Sequence, residues 1–220
     1  MSQNHKKKRW PTKKVMSQIY EKKFWGGANF DFYSGIGSHD PQITEPYIDA
    51  LKKILQSFPQ KLSVCDLGCG DFNVGRALVP YAATYIGIDI VPDLIDRNRA
   101  LFQKPNLEFH CLDIVKDEWP KTDLVMIRQV MQHLSNVEIL ALVGKLKHIP
   151  FIVVTEHLPI GSFVPNKDLI TGQGIRLKKK SGVDLMQAPF HLGAKNTQKI
   201  LTVPYLKNQG EIVTTLYQNF

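Results

Sequence analysis

Hydrophobic residues between positions 43 and 58 recur at spacings of three and four, which is the period of an amphipathic α-helix. These residues are Ile43, Tyr47, Ile48, Leu51, Ile54, Leu55 and Phe58. Asp40 supplies an N-cap before Pro41, which suits the first position of a helix, and Pro59 ends the pattern. The sequence therefore predicts a helix that begins at Pro41 and ends before Pro59.

Short apolar segments and helical patterns then alternate along the chain. The predicted strands are rich in β-branched residues and apolar on both faces, as parallel strands covered by helices are. They cover residues 62–67, 84–90, 107–112, 123–127 and 151–155. Helices are predicted over residues 73–81, 92–102 and 136–146, the last one opened by a Ser135-x-x-Glu138 capping box. This alternation predicts an α/β fold with a doubly wound, mostly parallel sheet.

The pattern changes beyond Leu158. Residues 159–181 are rich in Gly, Pro and Lys and predict a long loop with at most one helical turn. Residues 199–203 and 211–217 predict two strands, and residues 204–210 connect them. An antiparallel C-terminal hairpin at one sheet edge would complete a seven-stranded sheet.

Length and composition fit one α/β domain. The chain has 220 residues, of which 43% are hydrophobic and 22% charged. No apolar run reaches the roughly 20 residues that cross a bilayer, and the polar N-terminus has no apolar signal region. Cys65, Cys69 and Cys111 lack C-x-x-C spacing, which favours reduced thiols and a cytoplasmic location over disulfides or zinc.

The net charge of +8 lies mostly in the first 23 residues, which hold eight basic residues and one acid. We predict a flexible basic tail over residues 1–23 and a single domain over residues 24–220. Within the domain, residues 24–60 would form a lid and a helix, 61–157 the ligand-binding core, and 158–220 the acceptor-side loop and hairpin. The tail could attract nucleic acid, but a nucleic-acid enzyme usually also has basic residues across its catalytic face, so a solvated arm is favoured.

A glycine-containing turn follows the first predicted strand. In Asp66-Leu67-Gly68-Cys69-Gly70 the glycines let a ligand approach the backbone, at the carboxyl end of a strand where such folds bind ligands. Asp89 ends the second strand, 19 residues after Gly70, where a carboxylate can bind two ribose hydroxyls. Asp113 follows the third strand and can reach the amine of a nucleobase. Three acids at three strand ends predict a nucleoside site.

A dinucleotide such as NAD is the competing ligand, because G-x-G with a downstream acid also fits its motif. However, Asn73 stands where that motif has its third glycine, and Asp66 precedes the first glycine by two residues. An acid there suits the ammonium group of S-adenosylmethionine, which carries no phosphate. The residues therefore favour S-adenosylmethionine.

Three segments resemble motifs of class I S-adenosylmethionine-dependent methyltransferases. They are residues 64–96 (VCDLGCGDFNVGRALVPYAATYIGIDIVPDLID), residues 112–114 (LDI) and residues 123–135 (DLVMIRQVMQHLS). The resemblance covers about residues 60–157, and it departs from the family at Phe72, where many members carry the last glycine of the run.

The resemblance also implies which residues hold the cofactor. Asp66, Gly68 and Gly70 would contact the methionine part, Asp89 the ribose and Asp113 the adenine. Ile90, Ile114 and Arg128 complete the predicted cofactor-binding set.

A second resemblance precedes the first helix. Residues 32–38 (FYSGIGS) are similar to a little-characterised bacterial methyltransferase subgroup with an S-G-x-G-S segment in this position. With Trp25, Phe30 and Tyr33 around it, this segment either forms a lid over the cofactor, which is favoured, or is an ordinary turn.

His133, just past the fourth strand, is a candidate general base, and packing at the helix start is its alternative role. Arg128, a second catalytic candidate, and Gln129 would orient substrate or bind neighbouring loops. Glu156 and His157 end the fifth strand at the pocket rim, and His157 and His191 rank lower as catalytic residues.

The sequence lacks several motifs that would fix the chemistry. There is no Asp/Asn-Pro-Pro-Tyr/Phe motif, no Pro-Cys nucleophile and no acid or histidine cluster with metal-ligand spacing. The leading hypothesis is therefore metal-independent O-methylation of a small molecule or glycan. An RNA-directed methyltransferase recruited by the basic tail and a non-catalytic cofactor-binding partner subunit remain alternatives. Neither the acceptor nor the oligomeric state follows from the sequence.

Overall fold

The computed structural model describes residues 10–205 and 210–220. Seven strands form one sheet in the order β3-β2-β1-β4-β5-β7-β6. The strands are β1 (Ser63–Leu67), β2 (Thr84–Asp89), β3 (Leu107–Cys111), β4 (Leu124–Arg128), β5 (Phe151–Leu158), β6 (Asn196–Tyr205) and β7 (Gly210–Gln218). The helices are α1 (Thr12–Glu21), α2 (Pro41–Ser57), α3 (Pro92–Leu101) and α4 (Asn136–Leu146). Strands β1 to β5 pair in parallel and β7 pairs antiparallel with β5 and β6, which confirms the predicted fold.

The two faces of the sheet carry separate apolar layers because alternate strand residues point to opposite sides. Cys65 and Leu67 of β1 pack in the layer that contains α4, whereas Val64 packs in the layer that contains α2. Ile95 of α3 joins the α2 layer, so helices cover both faces. The chain crosses from β3 at one edge to β4 beside β1, and this reversal of strand order opens a crevice at the carboxyl ends of β1 and β4.

Local sequence signals explain where the helices begin. The Asp40 carboxylate accepts a hydrogen bond from the Gln42 backbone N–H at 2.9 Å, and α2 starts at Pro41 as predicted. At the start of α4, the Glu138 carboxylate accepts a hydrogen bond from the Ser135 backbone N–H at 3.0 Å, as the capping box predicts.

The predicted helix over residues 73–81 is wrong. This segment forms two 3-10 turns, Gly75–Ala77 and Val79–Tyr81. Pro80 has no N–H to donate to the residue four positions earlier, so the segment closes with shorter bonds instead. The backbone N–H of Leu78 donates to the Gly75 carbonyl at 2.9 Å, and that of Tyr81 donates to the Leu78 carbonyl at 3.0 Å.

The predicted flexible tail over residues 1–23 also needs correction. Residues 1–9 lie outside the described residues, but Thr12–Glu21 is an α-helix. Met16, Ile19 and Tyr20 have helical spacing; Ile19 is buried and Met16 packs against the core. The tail was predicted from the many basic residues in this segment, and the helical spacing of its apolar residues was not considered.

The C-terminal part forms the predicted pair of strands, but both strands are longer than predicted. Strands β6 and β7 form the predicted antiparallel hairpin, and both extend beyond the predicted residues. Of the predicted connection, residues 206–209 lie outside the described residues. All three cysteines are free thiols. Within the described ranges, no helix has the length and apolar character needed to cross a membrane.

Candidate active site

A cavity of about 520 Å³ lies at the carboxyl ends of the parallel strands. Residues that follow β1, β2 and β3 line one half of it, and residues at the ends of β4 and β5 line the other half. The strand order alone dictates this division, because β3 and β5 lie on opposite sides of β1 and β4. The volume lies within the usual range of small-molecule sites.

The glycine turn after β1 forms the floor of the cavity. Gly68 and Gly70 have φ angles of 80° and 56°, a left-handed conformation that favours glycine. A side chain at Gly68 would collide with Val130, and one at Gly70 would collide with Ser34. Both glycines are therefore required by backbone conformation and by close packing.

Phe72 explains the departure from the family motif. It has a φ of 64°, so the position is left-handed, as a glycine there would allow. Its ring is buried, with centroids 4.8 Å from Phe109, 5.2 Å from Phe102 and 5.6 Å from Tyr85. This aromatic packing stabilises a residue type that the backbone conformation disfavours.

Two buried carboxylates stand on either side of the turn. The Tyr85 hydroxyl donates to Asp66 Oδ2 at 2.9 Å, and burial raises the pKa of Asp66 to about 6. The backbone N–H groups of Gly70 and Val91 each donate to Asp89 at 3.1 Å, yet burial still raises the pKa of Asp89 to about 6. Neither acid forms an ion pair with any described residue. A bound cation or hydroxyl donor would therefore stabilise their charged forms.

The third acid, Asp113, also lines the cavity, together with Ile90 and Ile114. Its Oδ1 accepts from the Val115 backbone N–H at 3.0 Å, and its Oδ2 pairs with Lys116 at 3.0 Å. The structure thus brings all the predicted cofactor-binding residues into one cavity, with Arg128 on the β4 side and the others on the side of β1, β2 and β3.

Helix α3 supports the turn through side chains that sequence reasoning missed. Asn98, fully buried, donates from Nδ2 to the Gly70 carbonyl at 2.7 Å. Arg97 Nη1 donates to the Asp71 carbonyl at 2.9 Å. The sequence did hold a signal for these two side chains. They are polar residues on the inner face of a predicted helix that begins shortly after Asp89.

The N-terminal segment, residues 22–40 between α1 and α2, packs directly on the turn. It contributes Ser34, Gly35, Ile36, Gly37 and Ser38 to the cavity wall. The Tyr20 and Ser34 hydroxyls lie 3.0 Å apart, which connects α1 to the segment. A side chain at Gly37 would collide with the Gln129 amide.

Arg128 joins the N-terminal segment to β4. Its Nη1 donates to Ser38 Oγ at 3.1 Å, its Nη2 donates to the Gly37 carbonyl, and its guanidinium lies 4.9 Å from the centre of the Tyr47 ring. Burial lowers the pKa of Arg128, and its Nε has no hydrogen-bond partner in the described part of the chain. Arg128 thus connects β4 to the N-terminal segment in the cavity wall, and its Nε–H has no acceptor among the described residues.

His133 lies in the wall, but both its ring nitrogens have partners. Nδ1 lies 3.1 Å from the Gly172 carbonyl oxygen and Nε2 lies 3.2 Å from Gln132 Nε2. Burial lowers the pKa of His133 to about 4, and its ring packs 5.3 Å from Trp25. These contacts favour the packing role for His133 over the role of a base.

The two residues predicted at the end of the fifth strand differ in position. Glu156 does not line the cavity: its carboxylate accepts from the backbone N–H groups of Met131 at 2.8 Å and Gln132 at 3.1 Å, and burial raises its pKa to about 8. His157 does line it. His191 is exposed and lies away from the cavity.

The loop after β5 covers the acceptor half. Arg176, which is 1% exposed, donates to the carbonyls of Met131 at 2.9 Å and Leu134 at 2.8 Å. The Gln173 amide donates to the Phe24 carbonyl at 2.6 Å, so this loop touches the N-terminal segment across the cavity. Among the residues described, no group of three or more His, Cys, Asp or Glu side chains could hold a metal ion.

Comparison with known proteins agrees with this geometry. Residues 64–149 match a family described as a methyltransferase domain. The malonyl-[acyl-carrier protein] O-methyltransferase of Acetivibrio thermocellus is 27% identical over 128 residues, which cover 57% of this chain and 42% of that protein. The chain thus spans less than half the length of this curated relative.

Solved structures show the same fold. The N-methyltransferase NodS from Bradyrhizobium japonicum WM9, in complex with S-adenosyl-L-homocysteine, has a TM-score of 0.68 at 14% identity, covering 94% of this chain and 100% of that one. Magnesium protoporphyrin IX methyltransferase (ChlM) from Synechocystis PCC 6803, with bound S-adenosylmethionine, has a TM-score of 0.58 at 17% identity, covering 95% and 98%.

The chain therefore has the class I methyltransferase fold. Its central part, residues 64–149, matches a methyltransferase-domain family. The subgroup suggested by residues 32–38 stays a prediction.

Proposed function

We propose that this protein is a cytoplasmic S-adenosylmethionine-dependent methyltransferase that methylates a hydroxyl group of a small molecule or glycan without a metal ion. One observation carries the proposal: Asp66 and Asp89, both buried and without an ion pair in the described residues, flank the left-handed glycine turn in one cavity. A cationic nucleoside would bring a positive charge to Asp66 and ribose hydroxyl donors to Asp89.

The residues fit S-adenosylmethionine group by group. Asp66 would bind the ammonium, Asp89 the ribose hydroxyls and Asp113 the adenine amine, with Gly68 and Gly70 allowing close approach. Ile90 and Ile114 provide apolar contacts beside the base, and Arg128 closes the wall toward β4. When bound, the cofactor supplies a sulfonium methyl group that a nucleophile takes while the electron pair of the C–S bond stays on sulfur.

The cover of the cavity supports a small acceptor. Helix α1 and the N-terminal segment cover it from one side and the loop containing Gln173 and Arg176 covers it from the other, and the two meet at Phe24. A site covered on two sides limits the access of water and holds the reacting groups together, which is the protein's main task in methyl transfer. A folded RNA would need this cover to open.

Methyl-acceptor screening tests the proposal. The enzyme is incubated with S-adenosylmethionine carrying an isotopic methyl label, together with a low-mass metabolite fraction, a glycan fraction or an RNA fraction. Label in low-mass or glycan products, as an ether that survives mild base, is expected. Label in RNA, or slow S-adenosylhomocysteine formation with every fraction, would contradict the proposal and favour the RNA-directed or non-catalytic alternative.

Asp89→Asn is the test variant for the cofactor site, and Asp96→Asn is its matched control. Asp89→Asn removes the charge that would bind the ribose and should abolish labelling. Asp96 lies on the exposed side of α3, where its carboxylate pairs with Arg99, so Asp96→Asn should leave labelling unchanged.

A further inference from the structure

A chain of hydrogen bonds crosses the acceptor half of the cavity. It begins at the Gly172 carbonyl oxygen, which lies 3.1 Å from His133 Nδ1. His133 Nε2 lies 3.2 Å from Gln132 Nε2, and Gln132 Oε1 lies 2.6 Å from His157 Nδ1. The backbone carbonyl and three side chains thus form one continuous line.

The carbonyl at the start fixes the direction of every bond. A carbonyl oxygen only accepts, so His133 carries its proton on Nδ1 and has a lone pair on Nε2. Gln132 donates from Nε2 to that lone pair, and the same amide nitrogen donates to the Gln129 carbonyl at 3.3 Å. The opposite amide orientation would place two oxygens against each other at Gln129, so Oε1 points toward His157.

These hydrogen bonds determine which ring nitrogen of His157 carries the proton. Because Gln132 Oε1 accepts, His157 carries its proton on Nδ1 and has a lone pair on Nε2. His157 is 5% exposed, and its Nε2 has no hydrogen-bond partner in the described ranges. It lines the cavity at the end of β5, with its ring centroid 4.1 Å from that of Tyr205.

The surroundings keep this imidazole uncharged. Burial lowers the pKa of His157 to about 4, and the positive charge of Arg128 acts in the same direction. Glu156, the adjacent acid, is directed away, toward the backbone N–H groups of Met131 and Gln132. His157, which lines the half of the cavity opposite Asp113, therefore carries a buried, neutral acceptor nitrogen with a fixed tautomer.

We propose that His157 Nε2 receives the hydrogen bond, and during methyl transfer the proton, of the acceptor hydroxyl, with Gln132 and His133 acting as positioning residues. This inference rests on the proposed function and deepens it. The oxygen's electron pair forms the bond to the methyl carbon while the O–H proton moves to Nε2, giving an imidazolium that later releases the proton to water.

The same geometry disfavours one class of acceptor. An ionised carboxylate has no proton to donate, and its oxygen lone pairs would face the lone pair of Nε2. A hydroxyl group donates to Nε2 and presents its own lone pair for methylation. The site therefore suits the hydroxyl acceptor of the proposed function and disfavours carboxylates, in contrast to an enzyme that methylates an acid.

The tautomer is measured first, on the unliganded full-length protein labelled with ¹⁵N-histidine. Long-range ¹H–¹⁵N correlation at neutral pH should show the proton of His157 on Nδ1, with its signals assigned by their loss in His157→Asn. In Gln132→Met the preference for Nδ1 should disappear. A proton on Nε2 in the wild-type protein would overturn the inference, and this readout depends on neither cofactor nor acceptor.

Labelling of the low-mass or glycan fraction gives the second readout. His157→Asn keeps a donor toward Gln132 and removes Nε2. Label transfer should therefore fall about 100-fold or more, the usual effect of losing a general base. Affinity for S-adenosylhomocysteine should stay within twofold. The matched control is His148→Asn, an exposed histidine, which should transfer label normally.

The two proposals fail differently. If His157→Asn transfers label within twofold of the wild-type rate, the role of His157 is wrong while the methyltransferase proposal stands. If S-adenosylhomocysteine does not bind the wild-type protein, the proposed function is wrong whatever the tautomer.

Discussion

Ser34 and Asp71 exchange two hydrogen bonds across 37 positions of the chain. The Ser34 backbone N–H donates to Asp71 Oδ2 at 2.9 Å, and the Asp71 backbone N–H donates to Ser34 Oγ at 2.8 Å. His39 Nε2 contacts the same carboxylate oxygen at 2.6 Å. The N-terminal segment and the glycine turn are therefore one unit, and the geometry of the proposed cofactor site depends on both.

Ser34→Ala tests this unit. The substitution removes the acceptor of the Asp71 N–H and the partner of Tyr20, and a buried donor left unsatisfied costs about 1–3 kcal/mol. We expect the affinity for S-adenosylhomocysteine, measured by calorimetry, to fall about fivefold or more. Ser162→Ala, at an exposed loop position, is the control. Unchanged affinity in Ser34→Ala would show that the N-terminal segment does not support the turn.

Two substitutions of Phe72 can be ranked by the free energy of unfolding that each is expected to cost. Phe72→Ala loses the aromatic packing and keeps a side chain in left-handed backbone, so we expect a loss of about 3–5 kcal/mol in the free energy of unfolding. Phe72→Gly removes one more carbon but relieves the backbone, which is worth about 1 kcal/mol. Urea denaturation should therefore find the glycine variant more stable than the alanine variant, and the reverse order would refute the backbone argument.

Cofactor binding should depend on pH through Asp66 and Asp89. Both have pKa values raised to about 6, and the ligand binds their charged forms. Below pH 6 a proton must leave before the ligand binds, so affinity for S-adenosylhomocysteine should fall about tenfold per pH unit for each acid involved. Between pH 7 and pH 8, where both acids are charged, the affinity should be nearly constant.

Asp66→Asn is the control for this pH dependence. It should bind more weakly at pH 8 and show a shallower fall in affinity at acid pH. If wild-type affinity is constant from pH 5 to pH 8, these carboxylates do not hold the ligand.

Arg176 joins the loop after β5 to the segment after β4. Besides Met131 and Leu134, it donates to Asn136 Oδ1 at 2.7 Å and to the Lys167 carbonyl at 3.1 Å. Arg176→Met would leave these acceptors unpaired and remove the positive charge that favours ionised Glu156.

We expect Arg176→Met to lower the free energy of unfolding by about 3 kcal/mol, which for a domain of this size lowers Tm by about 6–12 °C. Arg76→Met, at an exposed position, should change stability by less than about 0.5 kcal/mol. A thermal shift as small as that of Arg76→Met would mean that Arg176 does not hold the acceptor loop.

The sheet and the cofactor half of the site were predictable because periodicity and strand-end acids are local signals. Asp66, Asp89 and Asp113 lie at or just after the carboxyl ends of strands whose order is set by chirality and burial, so their convergence follows from the alternation of strands and helices. Pro80 was the visible reason to doubt a regular helix over residues 73–81, and Met16, Ile19 and Tyr20 were the visible reason to expect one before residue 24.

The acceptor half was not predictable because it depends on contacts between distant residues. The sequence ranks His133 above His157 as a base, and only the contacts of the Gly172 carbonyl and the Gln132 amide show that both ring nitrogens of His133 have partners while Nε2 of His157 has none in the described residues. Likewise, Ser34 acquires its role from Asp71, to which no local pattern connects it.

Isothermal titration of the purified protein with S-adenosylhomocysteine and, separately, with NADH tests the central claim most directly. We predict saturable binding of one S-adenosylhomocysteine per chain that is lost in Asp89→Asn and kept in Asp96→Asn, and no binding of NADH. Binding of NADH without binding of S-adenosylhomocysteine would contradict the account.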